Sequence, residues 1–161
     1  MIAMMAAASA VGAAQALEHF QKSRETTPHV AVAIAADDPS GPASITKSAD
    51  GHYWTQADVD GHAVNFLVDT GATAVALTGD DAKRMGIDVA GLDYAYKVET
   101  ANGDAHAARV NLASVAVAGA RVNNVEAYVL DHGLPTSLLG MSYLGRLSAF
   151  EATPTSMILR P

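Results

Sequence analysis

The chain has 161 residues, half of them apolar, and carries a net charge of −7 from 10 basic and 17 acidic side chains. This length suits one domain with an N-terminal extension, and the acidic balance excludes nucleic acid and an anionic membrane surface as expected partners, because no basic patch can neutralise phosphates. The absence of cysteine excludes disulfides, thiolate nucleophiles and sulfur-ligated metal sites.

Residues 1–17 contain no charged side chain and are mostly alanine. The segment is shorter than the ~20 apolar residues that span a bilayer. Ala14-Gln15-Ala16 fits the cleavage pattern of a secretory signal, although no Lys or Arg precedes Lys22. An Ala-rich amphipathic helix is the alternative. We therefore expect this segment to be an export signal or a weak membrane anchor. The protein is then expected to be periplasmic or exported, and an anchor at the inner membrane through this segment is a further option.

Residues 18–50 are predicted to be a linker, because they are rich in turn formers such as Asp37-Asp38-Pro39-Ser40-Gly41-Pro42. The folded domain is predicted to span 51–161. It begins with strands over 52–59 and 62–68, joined by an Asp60-Gly61 turn of the kind that favours a two-residue hairpin.

The second strand of this hairpin ends in an acid. Phe66-Leu67-Val68 is a short, apolar, β-prone run, and Asp69-Thr70-Gly71 follows it at once. A carboxylate at the end of a buried strand is costly unless it is hydrogen-bonded or shares a proton with a neighbour. The Thr hydroxyl can donate and accept, and the glycine permits a tight turn. By itself such a tripeptide is more often a strand-ending turn, so its meaning depends on the rest of the chain.

The elements after the acid are short. Residues 74–77 are predicted to form a strand, and Thr78 to cap a helix that ends near Met85. Residues 97–108 form a hairpin around Asn102-Gly103, the strongest short hairpin signal. A long strand over 109–117 is predicted to carry a bulge near Ala113-Ser114, because its apolar residues change phase there.

The last part of the chain contains a second apolar motif. After a strand over 125–129 and a loop, Leu138-Leu139-Gly140 pairs two apolar residues with a glycine, which lets two segments pass closely. A short helix is predicted over 142–147. The strands 149–150 and 157–159 are predicted to pair through a Thr153-Pro154-Thr155 turn.

The order of these motifs resembles the retropepsin-like aspartic peptidases, whose pattern is an apolar run, D-T-G-A, and a distant apolar pair with glycine and a short helix. The resemblance covers about 51–159 and is greatest to the small bacterial branch, usually exported or membrane-anchored. It implies an all-β fold: a closed acid-protease barrel with a flap hairpin and one or two short helices. It assigns Asp69 as the catalytic residue, with Thr70, Gly71 and Ala72 as its supporting loop. The flap tip is Thr100, Ala101, Asn102 and Gly103, and the loop is supported from behind by Leu138, Leu139 and Gly140.

The resemblance also implies a dimer. Aspartic peptidases hold a water between two carboxylates that share one proton. The chain has one Asp-Thr-Gly and no second Asp-Thr-Gly or Asp-Ser-Gly, since Asp50-Gly51 and Asp60-Gly61 lack the hydroxyl residue. The second acid must then come from a twin subunit, which predicts a two-fold homodimer acting on a protein or peptide substrate.

No cofactor and no metal are expected, because the six histidines have no metal-binding spacing and no phosphate-binding glycine loop occurs. Two other interpretations remain open at this point. One is a catalytically inactive module of the same fold that binds peptides or dimerises. The other is an unrelated small β-barrel that carries a lipid or another ligand.

Overall fold

The computed structural model describes residues 42–100 and 102–161. The predicted export signal or anchor, most of the predicted linker, and Ala101 of the predicted flap tip therefore lie outside the described residues. The strands are β1 (Ala43–Thr46), β2 (Trp54–Val59), β3 (His62–Val68), β4 (Val75–Leu77), β5 (Tyr96–Thr100), β6 (Gly103–Val117), β7 (Ala120–Leu130), β8 (Ser137–Leu139), β9 (Ala149–Ala152) and β10 (Ser156–Arg160). The helices are α1 (Gly79–Arg84) and α2 (Met141–Leu144), and a 3₁₀ turn spans Val89–Gly91. Within these described ranges, no helix has the length and apolar character needed to span a membrane.

Six strands close into a barrel in the order β2-β3-β8-β4-β7-β6, and β6 pairs back onto β2. The closing contact aligns Ala57 with Val117 and Val59 with Val115. The strand β5 pairs with the first part of β6 and extends the sheet as a hairpin outside the ring. Closure removes free edges from the ring strands, which stabilises a small β domain against edge pairing. The predicted all-β closed barrel with a hairpin and short helices is confirmed.

The barrel interior is filled by alternate residues of its strands. Along β3, Val64 and Phe66 are buried while the residues between and before them face solvent. Tyr143 of α2 is fully buried in the same core, and its hydroxyl donates to the carbonyl oxygen of Ala120 at 2.8 Å. Burial raises the pKa of Tyr143, so its hydroxyl stays a neutral donor.

A second sheet, in the order β1-β10-β9, shares this core. Ala43 and Ile45 of β1 are aligned with Leu159 and Met157 of β10, and all four side chains are buried. β9 and β10 pair across the predicted turn at residues 153–155. β1 lies inside the stretch predicted to be a linker, and two of its side chains pack into the core of the domain. Two buried residues in a four-residue strand are too weak a pattern to stand out among turn formers.

The long β6–β7 ladder changes its buried face at its middle, and it does so on both strands. Ser114 is aligned with Asn123 and Leu112 with Val125, so the register does not shift there and the predicted bulge is wrong. The Asp60 carboxylate accepts from two backbone N–H groups of β6 at this point, at 3.1 and 2.6 Å. The change of phase that suggested a bulge is therefore a change of buried face shared by two strands.

Candidate active site

Asp69 follows directly on β3 and is held by the backbone around it. Its N–H donates to the carbonyl oxygen of Leu139 at 3.1 Å, and its carbonyl oxygen accepts from Ala72 N–H at 3.2 Å. The N–H of Gly71 donates to the Asp69 Oδ1 atom at 2.8 Å. A Cβ at Gly71 would lie 3.1 Å from that same oxygen, so the glycine leaves room for the carboxylate. The side chain is partly exposed, and within residues 42–100 and 102–161 it forms no ion pair.

The loop from Asp69 to Ala74 is supported from behind by β8 and the residue after it. β8 lies between β3 and β4, with Leu138 aligned with Leu67 on one side and Ala76 on the other. Gly140 then crosses the loop so closely that a Cβ would lie 2.2 Å from the carbonyl oxygen of Ala74. Real Cβ contacts essentially never come this near, so this position requires glycine. The structure thus places the predicted support residues directly behind the acid.

Two serines complete this support, and the sequence did not single out either for this role. Ser142 donates from Oγ to the carbonyl oxygen of Glu126 at 2.7 Å and accepts from Val75 N–H at 2.9 Å. Ser137 is fully buried, and its hydroxyl donates to the Asp81 Oδ2 atom at 2.5 Å. No sequence signal marks either contact, since each joins segments more than 15 residues apart.

One face of the sheet carries Asp69 together with a row of apolar side chains. Aligned residues of neighbouring strands project to the same face. Leu67, Leu138, Ala76 and Tyr128 are aligned in turn across β3, β8, β4 and β7. All four are partly buried rather than part of the main core. Asp69 lies two residues beyond Leu67 on the same side, so the acid borders an apolar surface.

This surface continues as a second hydrophobic cluster beneath the β5–β6 hairpin. The buried members are Ala105, Ala107 and Leu130, and the partly buried members packed against them are Ala76, Val98, Tyr128 and Leu134. The cluster is separate from the barrel core and joins the hairpin to the face that carries Asp69. The arrangement therefore presents an extended apolar surface beside a carboxylate.

The tip of this hairpin is tied to the loop that precedes β8. Thr100 Oγ1 donates to the carbonyl oxygen of Gly103 at 2.8 Å and accepts from Asn102 N–H at 3.1 Å. The Asn102 side chain donates from Nδ2 to the carbonyl oxygen of Gly133 at 2.9 Å. Of the four predicted flap-tip residues, three are thus described at the tip of the hairpin, and Ala101 is not described.

Asp131 holds the base of the same hairpin. Its Oδ1 accepts from His106 N–H at 3.0 Å, and the imidazoles of His106 and His132 lie close to its carboxylate. Desolvation acts to raise the pKa of Asp131, but the His106 N–H and the charge of His132 outweigh it and lower that pKa. The carboxylate therefore remains charged in mildly acidic solution and keeps the hairpin attached.

Within residues 42–100 and 102–161, no three His, Cys, Asp or Glu side chains converge as a metal site would require. The chemistry available at the cleft is that of a partly exposed carboxylate with one fixed oxygen.

Comparison with known proteins places this geometry in context. The "gag-polyprotein putative aspartyl protease" family matches residues 55–146. A crystal structure of a retropepsin-like aspartic protease from Rickettsia conorii is 39% identical, with a TM-score of 0.68 over 74% of this chain and 98% of that one. The EIAV protease in complex with the inhibitor HBY-793 shares the fold, with a TM-score of 0.55 over 68% of this chain and all of that one at 19% identity.

Two curated relatives carry no described function. An uncharacterized protein from the cobV 5' region of a Sinorhizobium species is 41% identical over 117 residues, or 72% of this chain and 50% of the relative. An uncharacterized protein of Rickettsia prowazekii is 40% identical over 115 residues, or 71% of this chain and 49% of the relative. The chain thus spans about half the length of the curated relatives it matches.

Proposed function

Because the chain belongs to the family of retropepsin-like aspartic peptidases, we propose that it is an aspartic endopeptidase that hydrolyses peptide bonds in protein substrates. The observation that carries the proposal is the Asp69 carboxylate. It is partly exposed, has Oδ1 fixed by Gly71 N–H at 2.8 Å, and borders an apolar surface. A carboxylate that is held in place, forms no ion pair and lies next to an apolar surface is suited to act as a general base towards water beside a bound peptide.

The proposed active form is a homodimer with Asp69 of each subunit at the two-fold axis. Each subunit supplies one Asp-Thr-Gly and one closed barrel, which is half of a two-carboxylate site. Thr70 is exposed beside the acid, where its hydroxyl is available to the twin loop. The supporting argument is chemical: a single carboxylate cannot act as base towards water and as acid towards the carbonyl oxygen in the same step.

In the proposed reaction, two carboxylates about 3 Å apart share one proton, because two adjacent negative charges cannot both persist. The ionised carboxylate takes a proton from the bound water as the water oxygen attacks the carbonyl carbon. The protonated carboxylate donates its proton to the carbonyl oxygen. The resulting gem-diol collapses with a proton passed to the amide nitrogen, which leaves as an amine. The two carboxylates again hold one proton between them at the end.

We also propose that the protein is exported, with residues 1–17 as signal or membrane tether and a protein substrate in the periplasm. Support for this comes from the uncharged, Ala-rich composition of those residues. Separation of cell fractions, followed by detection of the protein in periplasm, membrane and cytoplasm, tests it. Recovery in the cytoplasm alone would refute the proposed location.

The catalytic proposal is tested by Asp69→Asn with Asp58→Asn as a matched control. Asp58 is an exposed acid on β2 outside the cleft loop. We expect wild type and Asp58→Asn to cleave a mixture of peptides at acid to neutral pH, and Asp69→Asn to lose at least ~10³-fold in kcat/KM, because the only base of the half-site is removed. Unchanged circular dichroism shows that the fold survives the change. Full cleavage by Asp69→Asn would refute the mechanism, and binding of a statine-containing peptide by a wild type that cleaves nothing would favour the inactive module.

A further inference from the structure

Trp54 is the only tryptophan of the chain and one of two large apolar side chains that are exposed within the described residues. Its side chain is 37% exposed and belongs to neither hydrophobic cluster. Singly exposed apolar side chains are common on protein surfaces, so the position of this indole, and not its exposure alone, indicates its role.

The register places Trp54 on the face that carries the catalytic acid. Trp54 is aligned with Leu67 in the antiparallel β2–β3 pair, so both side chains project to the same face. Asp69 lies two residues beyond Leu67, and such diagonal neighbours are about 7–8 Å apart, within reach of an aromatic ring. The indole thus borders the apolar row of Leu67 and Leu138 at the end nearest the acid.

The orientation of the indole is fixed by the turn before β2. Its Nε1 donates to the Asp50 Oδ2 atom at 2.8 Å. The other oxygen of that carboxylate, Oδ1, accepts from His52 N–H at 2.9 Å, which ties Asp50 to the backbone. A ring held in one orientation while exposed loses little freedom when it meets a ligand, so the arrangement is preorganised for contact.

We propose that Trp54 is a specificity-determining residue of the cleft: its indole receives a large apolar side chain of the peptide substrate beside the scissile bond, and Asp50 is the positioning residue for that indole. The inference rests on the proposed peptidase function. The occupant is an apolar side chain because the indole lies beside the apolar row of Leu67 and Leu138. A charged side chain placed there would lose hydration without gaining a partner.

The first test compares the cleavage profiles of wild type, Trp54→Ala and Gln56→Ala on a peptide library derived from a proteome, with products read by mass spectrometry. Gln56 is the matched control, because it lies on the same strand and face but two residues farther from the acid. We expect Trp54→Ala to lose about five- to tenfold in kcat/KM for sites with Phe, Leu or Met beside the cleaved bond and little for sites with Ala. Gln56→Ala should keep the wild-type profile. Equal losses for large and small residues in Trp54→Ala would overturn the proposal.

The second test measures binding without catalysis. Since Trp54 is the only tryptophan, tryptophan emission reports its surroundings alone. We expect a statine-containing pentapeptide with apolar side chains to change this emission in a saturable manner, and an Asp- and Ser-rich peptide of the same length to leave it unchanged. If wild type cleaves nothing, the proposed function fails, while this titration still decides whether the indole lines the cleft. An emission that does not respond to a bound statine peptide would overturn the inference and leave the peptidase function standing.

The role of Asp50 is tested by Asp50→Asn and Asp50→Ala. The Asn variant keeps an oxygen that can accept from the indole and should keep the preference for large apolar residues. The Ala variant should lose that preference by about threefold at unchanged cleavage of Ala-containing sites. The alternative that Trp54 lies in a subunit contact is tested by sedimentation of Trp54→Ala. A dimer like that of wild type supports the cleft assignment. A monomer would assign Trp54 to the subunit interface and overturn the proposal.

Discussion

At Gly140 the chain passes behind the acid loop with no room for a side chain. A Cβ would lie 2.2 Å from the carbonyl oxygen of Ala74 and 2.7 Å from that of Ala72. Those neighbours are backbone atoms, which cannot move aside as a flexible side chain can. The identity of this residue is therefore linked directly to the position of Asp69.

We predict that Gly140→Ala lowers the free energy of unfolding by at least ~1–3 kcal/mol and reduces activity more than tenfold, because the loop must shift. Gly79→Ala is the matched control, since its Cβ would meet nothing nearer than 3.9 Å and its φ is not in the left-handed region. Urea unfolding and kcat/KM measure the two effects. A Gly140→Ala protein as stable and active as Gly79→Ala would contradict the close crossing.

Asp50 provides a prediction about pH. The His52 N–H and the Trp54 indole hold the pKa of Asp50 below its usual range, against a smaller opposing effect of desolvation. A depressed pKa means that the negative charge beside the indole persists as pH falls and is lost only when pH passes below the usual value of ~3.9. We expect constant Trp54 emission from pH 7 to about that point and a change below it. The titration is best done in His52→Gln, which keeps the backbone donor and removes the imidazole. A transition near pH 5 to 6, or one that survives in Asp50→Asn, would contradict the assignment.

Among single residues, the acid loop and the glycine that crosses it could be predicted from the sequence. An acid directly after an apolar run, and a glycine next to an apolar pair, are both local sequence patterns. The sequence did not reveal Ser137 or Ser142. A hydroxyl bonded to a distant segment leaves no trace in the surrounding sequence, and serines are common in turns for many other reasons.

Among the elements, α1 depends on a polar contact with β8. Asp81 of α1 is almost fully buried, forms an ion pair with Arg84, and accepts from the hydroxyls of Thr78 at 3.0 Å and Ser137 at 2.5 Å. The Ser137 hydroxyl also accepts from Thr78 N–H at 3.1 Å. The helix cap and the strand behind the acid are thus one hydrogen-bonded unit.

We predict that Ser137→Ala lowers the free energy of unfolding by about 1–3 kcal/mol, because a buried carboxylate and a buried N–H each lose a partner. Ser44→Ala is the control, since Ser44 is exposed on β1 and should change stability by less than ~0.5 kcal/mol. Both are measured by urea unfolding at one fixed subunit concentration. Equal stability of the two variants would show that the buried contact contributes nothing.

The sequence predicted most elements because alternation, turn residues and helix caps are local. Thr78 does cap α1, with its Oγ1 accepting from Asp81 N–H at 3.1 Å, as its position before two acids indicated. Errors arose where a distant partner decides the outcome. β1 is a strand because β10 pairs with it, and where β6 changes its buried face the Asp60 carboxylate accepts from two of its backbone N–H groups.

For the whole molecule the central question is whether one chain is sufficient for the proposed peptidase activity. The fold class followed from the motif order, whereas subunit number cannot be read from alternation or turns. We expect specific activity to fall on dilution, because dissociation separates the two acids. When equal amounts of wild type and Asp69→Asn are mixed and allowed to exchange subunits, activity per wild-type subunit should fall to about half, since random pairing places half of those subunits with an inactive partner. Undiminished activity in the mixture would show that a single chain is sufficient.

The position of β8 has a consequence for how the molecule comes into being. The ribosome delivers Asp69 early, whereas the strand that slots between β3 and β4 is made roughly 70 residues later. Until that strand has emerged from the exit tunnel, the loop that carries Asp69 lacks its support and the barrel stays open. A nascent chain that ends before Gly140 therefore lacks the support of the loop on which the proposed peptidase activity depends.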